Sequence, residues 1–149
     1  MDYSSVFAIS ASGMNLERAR VEVAALNLAN ASTTSAAGES PYLPMRVIAR
    51  AGADRLSFAA MMQAGAGAPD ASLLSPTMST EPTGRAPRRV HEPGHPLADD
   101  SGFVSYPGVD SATEMVALMG ATRAYEANVA AMNTARNLAL KALEIGGNS

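Results

Sequence analysis

The stretch SATEMVALMGATRAYEANVAAMNTARNLALKALEI, residues 111–145, holds no Pro and a lone Gly at 120. Met115, Leu118, Thr122, Tyr125, Val129, Met132, Arg136, Ala139 and Leu143 recur through it at alternating spacings of three and four. Apolar residues at that spacing fall on one side of an α-helix. Asp110 or Ser111 can cap its start, and Glu114 stands three residues after Ser111, the spacing of a capping box. Lys141 lies in the last turns and Gly146-Gly147 is a natural stop. From Ala112 to Ile145 such a helix runs about 51 Å at 1.5 Å per residue, far beyond the usual ~11–12 residues. An ordinary core helix needs no such length, whereas a coiled-coil partner does.

A second helix is expected at the front, from about Ser4 to Asn30, which contains no Pro. Val6, Ile9, Gly13, Leu16, Val23 and Asn30 follow the same repeat, with Arg20 and Asn27 in the series. Gly13 costs about 1 kcal/mol against Ala in a helix interior, so it marks a close approach or a bend. Ser32, Thr33, Thr34, Ser35 and Gly38 end the helix. All nine prolines fall between Ser40 and Pro107. Only short extended runs fit there: Met45–Ala49, Arg88–His91 and Gly102–Tyr106, with Arg55–Gln63 a strand or a short helix and Ala64–Pro69 a loop. The sequence thus predicts a mainly α fold, with long N- and C-terminal helices pairing as an antiparallel coiled coil. Residues 1–35 and 108–149 form one discontinuous helical domain, and 36–107 a small, irregular, β-rich insertion.

The rest of the composition excludes several functions. The 149 residues suit one domain of ordinary size, and an apolar content of 47 % is too high for general disorder. Only 5 % of the residues are aromatic, which suits close helix packing better than a β-sandwich. The net charge of −3 is spread evenly, so no segment offers the basic surface that nucleic acid needs. With no Cys there is neither thiol catalysis nor a thiolate metal site. No segment approaches the ~20 apolar residues of a membrane span. The N-terminus opens Met1-Asp2 with its first basic residue at Arg18, unlike a secretory signal peptide.

His91-Glu92-Pro93-Gly94-His95 formally matches the H-E-x-x-H signature of zinc hydrolases, in which Glu92 would be the base between two ligands. That chemistry needs both imidazoles on one helical face. Gly94 and Pro96 leave no helix to continue, and the chain has no third His. Two turn histidines are the better reading. Arg85, Arg88 and Arg89 form the main basic cluster, with Pro87 inside it and acids around it, and read as solvated loop or a partner contact. No catalytic residue, cofactor or metal is expected.

Two stretches carry a family likeness. Asn27-Leu28-Ala29-Asn30-Ala31-Ser32-Thr33 resembles the N-x-A-N-x-x-T motif of bacterial flagellar rod and hook proteins. Pro93-Gly94-His95-Pro96-Leu97-Ala98, Gly102-Phe103-Val104, Tyr106-Pro107 and Arg123-Ala124-Tyr125-Glu126-Ala127-Asn128 are similar to the C-terminal half of the proximal rod proteins of the flagellar basal body, the FlgC type. The resemblance implies a structural subunit that polymerises through its terminal helices into the torque-transmitting drive shaft of swimming motility. Another axial rod or hook subunit is the alternative within the class, and a soluble helical adaptor a further one. The resemblance also implies residence in the periplasmic rod of the basal body, after export from the cytoplasm without a cleavable signal. Its partners would be copies of itself, other rod proteins, the flagellar type III export apparatus and membrane-ring components. Asn27, Leu28, Ala29, Asn30, Thr33 and Arg123 to Asn128 would form the assembly motif. Val6, Ile9, Leu16, Val23, Met115, Leu118, Val129, Met132 and Leu143 would form the helix seam.

Replacing both histidines, His91→Ala with His95→Ala, should leave the fold and swimming intact. Stoichiometric zinc that survives dialysis against a chelator would contradict this.

Overall fold

The computed structural model describes residues 3–35, 39–50 and 76–147. Along the chain run α1 (Tyr3–Asn30), β1 (Met45–Arg50), β2 (Thr77–Pro82), β3 (Arg88–His91), β4 (Phe103–Tyr106) and α2 (Ser111–Gly147). The protein is mainly helical, with a long helix at each end and a small β-containing middle. The expected elements at Arg55–Gln63 and Ala64–Pro69 lie outside the described residues. The chain divides into two compact units, and both boundaries in the helices fall mid-helix. One unit comprises Met1–Arg18, Ala49–Ser79 and Thr122–Ser149, the other Ala19–Ile48 and Thr80–Ala121.

The Ala19–Ile48 and Thr80–Ala121 unit holds the best-buried side chains among the described residues: Val104, Asn27, Pro44 and Pro107. β3 and β4 pair antiparallel, Arg88 opposite Tyr106 and His91 opposite Phe103. Alternation along a strand then puts Val90 and Val104 on the core face and Arg89 and Phe103 on the other. On that outer face the Arg89 guanidinium lies 5.0 Å from the centre of the Phe103 ring and pairs with Asp99. The connection between the strands is pinned by Asp99. Its Oδ1 accepts from the N–H groups of Ser101 and Phe103 at 2.9 and 2.8 Å, and its carbonyl accepts from Gly102 at 2.8 Å. Gly102 sits at φ +78°, where a Cβ would be strained, and there it would also meet His91 Nε2 at 3.1 Å. A single antiparallel bridge joins Ser35 to Ser105, so the segment after α1 lies along β4.

β1 pairs with β2, and beside them Thr83 N–H donates to the Pro44 carbonyl at 2.7 Å. β2, with sequence TMSTEP, was not expected. It has no apolar alternation and ends in Pro82, so only its pairing with β1 defines it. α2 starts one residue before its expected first residue and runs through Gly146-Gly147 instead of stopping before them. Its cap is Asp110: Oδ1 accepts from Ala112 N–H at 3.2 Å and Oδ2 from the Thr113 hydroxyl at 2.5 Å. The Thr113 hydrogen bond is the main cause of an Asp110 carboxyl below its ordinary range. Glu114 therefore does not close a capping box on Ser111, and its carboxylate is used elsewhere.

In the other unit, Ser10 of α1 and Ala135 of α2 are buried. Gly13 there is a close approach: a Cβ would lie 2.9 Å from the Asn128 amide, which is itself held by an Nδ2 hydrogen bond of 3.0 Å to the Ala124 carbonyl. In an isolated helix Gly13→Ala would gain about 1 kcal/mol. Here it should instead destabilise by about 1–2 kcal/mol, because overpacking forces Asn128 aside. Adding Asn128→Ala should restore the lost stability in a denaturant-unfolding cycle. A stabilised Gly13→Ala single variant would contradict the close packing.

Candidate functional site

The N-x-A-N-x-x-T motif closes α1, and each of its polar side chains has a defined partner. Asn27 is fully buried. Its Nδ2 donates to the Met45 carbonyl at 2.8 Å and to Glu114 Oε2 at 3.1 Å. Its Oδ1 accepts from Met45 N–H at 3.0 Å and from the Tyr42 hydroxyl at 2.8 Å. A primary amide has two donors and two lone pairs, so the capacity of the group is filled. The orientation of the amide is dictated by Met45, whose N–H needs the oxygen and whose carbonyl needs the nitrogen. Asn27 thus treats the first residue of β1 as a neighbouring strand would, and its remaining bonds reach Tyr42 and the first turn of α2. Burial, and then the nearby Glu114 carboxylate, raise the Tyr42 hydroxyl above its ordinary pKa, which keeps it a donor to Asn27.

Asn30 and Thr33 finish the helix. Asn30 Nδ2 bonds back to the Leu26 carbonyl at 2.8 Å. The Asn30 carbonyl, unpaired inside a helix at this position, accepts from both the N–H and the hydroxyl of Thr33, at 3.1 and 2.8 Å. Of the other motif residues here, Leu28 is half-buried and Ala29 exposed. The second motif lies on α2. Arg123, Tyr125, Glu126 and Ala127 are exposed in the single chain, while Ala124 and Asn128 are half-buried.

The seam residues divide in the same way. Leu16, Val23, Leu118, Val129 and Met132 are half-buried, whereas Val6, Ile9, Met115 and Leu143 are exposed. The buried residues of α1 are Ser10, Glu17, Ala24 and Asn27, and those of α2 are Ala121 and Ala135. On α1 the buried heptad series 10, 17, 24 lies one residue beyond the expected 9, 16, 23. On α2 the buried 121 and 135 lie one residue before the expected 122 and 136. Small and polar side chains occupy most of the buried positions, and the larger aliphatic ones are less buried. Apolar periodicity alone cannot detect a line of Ser, Ala and Asn. Glu114 was read only at a capping-box spacing, and Tyr42 escaped sequence reading, although an aromatic with a polar tip between Pro41 and Pro44, just before a strand, was a usable signal.

The histidines are not on a helix. β3 ends at His91, and a turn follows at Pro93-Gly94. The His91 ring packs edge-on to Phe103 with centroids 5.0 Å apart, and His95 Nδ1 accepts from Leu97 N–H at 3.1 Å. Glu92 accepts from the Tyr106 hydroxyl at 3.0 Å. Among the described residues, no three His, Asp or Glu side chains are grouped to hold a metal ion, and no helix is long and apolar enough to cross a membrane.

Two family models match the chain where these motifs lie. The flagella basal body rod protein model matches residues 7–36, and the flagellar basal body rod FlgEFG protein C-terminal model matches residues 100–145. The flagellar basal-body rod protein FlgC of Salmonella typhimurium is 36 % identical over 143 residues, which is 95 % of this chain and 96 % of the relative. The chain belongs to the FlgC family of flagellar basal-body rod proteins. The FlgC of Bacillus subtilis is likewise 36 % identical, over 142 residues covering 93 % of this chain and 94 % of the relative. The FlgC of Escherichia coli is 35 % identical over 143 residues, 95 % of this chain and 96 % of the relative. As a member of the FlgC family, the protein is a structural subunit of the basal-body rod, serves swimming motility and is not an enzyme. It assembles with other flagellar rod components.

Asn27→Ala should cost about 2–4 kcal/mol in denaturant unfolding, since each buried polar group left unpaired costs about 1–3 kcal/mol. Asn27→Asp should cost more, because it turns an oxygen toward the Met45 carbonyl and the Glu114 carboxylate. An Asn27→Asp variant as stable as the wild type would show that the amide is not the clamp described. A separate prediction concerns Asp99. The Phe103 N–H chiefly, then the Ser101 N–H and Arg89, hold its carboxyl below its ordinary value against the opposing effect of desolvation. The native turn is thus favoured above pH ~3.8 and loses that support as pH falls through the lowered value. NMR titration of the Ser101 and Phe103 amides should give a midpoint below the ordinary carboxylate value, and Asp99→Asn should abolish it.

Proposed function

We propose that α1 and α2 pair antiparallel and that residues 1–35 with 108–149 act as the polymerising domain of the rod, with 36–107 as an insertion. Gly13 against Asn128 and Asn27 against Glu114 support the direction: fourteen residues further along α1, the partner lies fourteen residues earlier in α2. The observation that carries the assembly role is the apolar surface of α2. Val116, Leu143 and Ile145 are 71 %, 72 % and 80 % exposed in the single chain, with Met115, Met119 and Leu138 each more than half exposed. Large apolar side chains left this exposed at both ends of α2 are available for contact with another protein. Copies of this chain and other rod proteins cover them, through the helix seam and the Arg123–Asn128 motif. The resulting tube transmits torque as the drive shaft through the periplasm. The subunit reaches it through the flagellar type III export apparatus, and membrane-ring components are further partners. Absence of Cys supports the export reading, since no disulfide can obstruct passage of an extended chain.

Val129→Asp would put an unpaired charge on the half-buried side of α2, at heavy cost. Leu143→Asp changes a side chain that is exposed in the single chain, so it separates assembly from folding. Both variants should be exported and both should fail to support swimming. A motility assay paired with detection of the exported subunit tests this. Normal swimming with Leu143→Asp would remove that part of α2 from the assembly surface, and normal swimming with both would overturn the reading.

A further inference from the structure

We draw no further inference here: the strongest candidate, the exposed face of α2 on which Val116, Met119, Gly120 and Ala127 lie, carries nothing beyond the assembly role already proposed, because nothing in the structure shows what covers it.

Discussion

The side-chain amide of Asn27 has no access to water, so every one of its hydrogen-bonding positions has to be met from within the protein. Meeting them fixes three pieces of chain at once. Met45 must present both its N–H and its carbonyl, which sets where β1 begins. The Tyr42 hydroxyl must arrive from the segment before β1, and Glu114 from the first turn of α2. The hydrogen bond to Glu114 spans 87 residues of sequence, so the clamp closes only when the ends of the middle segment are in place. Asp110 caps α2 and thereby leaves Glu114 free to face Asn27. Val104, Pro44 and Pro107 fill the apolar part of the same unit, but they do not specify a register as a filled polar site does.

Burial is distributed unusually for a protein with so much aliphatic character. The buried positions of the helices are mostly Ser, Ala and Asn, while Val, Leu, Ile and Met side chains stay in contact with solvent. Small residues let helix backbones come close, as at Gly13, but they remove little apolar area from water. The large residues that would stabilise a self-sufficient globule are therefore still available for burial elsewhere. This is the pattern of a subunit whose stability is linked to association by mass action, and it agrees with membership of a rod-protein family.

Much of this was legible in the sequence. The two helices followed from spacing and from the confinement of Pro to the middle, and three of the four described strands from the short extended runs that fit between the prolines. The Asn27, Asn30 and Thr33 motif was found through its family likeness, whereas its physical role as clamp and helix stop needed the three-dimensional partners. What escaped was of two kinds. β2 has no local signature and owes its existence to β1. The buried line of each helix sits one residue from the apolar line, because Ser10, Ala121 and Ala135 carry little apolar signal yet are the side chains removed from solvent. The choice between Asp110 and Ser111 as cap was likewise settled by the hydrogen bonds that Asp110 accepts from Ala112 and Thr113, not by the local spacing.

The end of α1 also constrains how the gene can vary. Ala24 and Asn27 are buried on one side of the helix, and Ala25, Leu26 and Ala29 on the other side meet solvent. One residue added or lost between Ala24 and Asn27 would swing Asn27 by about 100° around the helix axis, away from Met45. Compensation by a further turn would carry the whole motif along the axis and past β1. Length changes should consequently be rare in this turn of the helix, while substitutions at the solvent-facing Ala25 and Ala29 are far better tolerated by the isolated subunit.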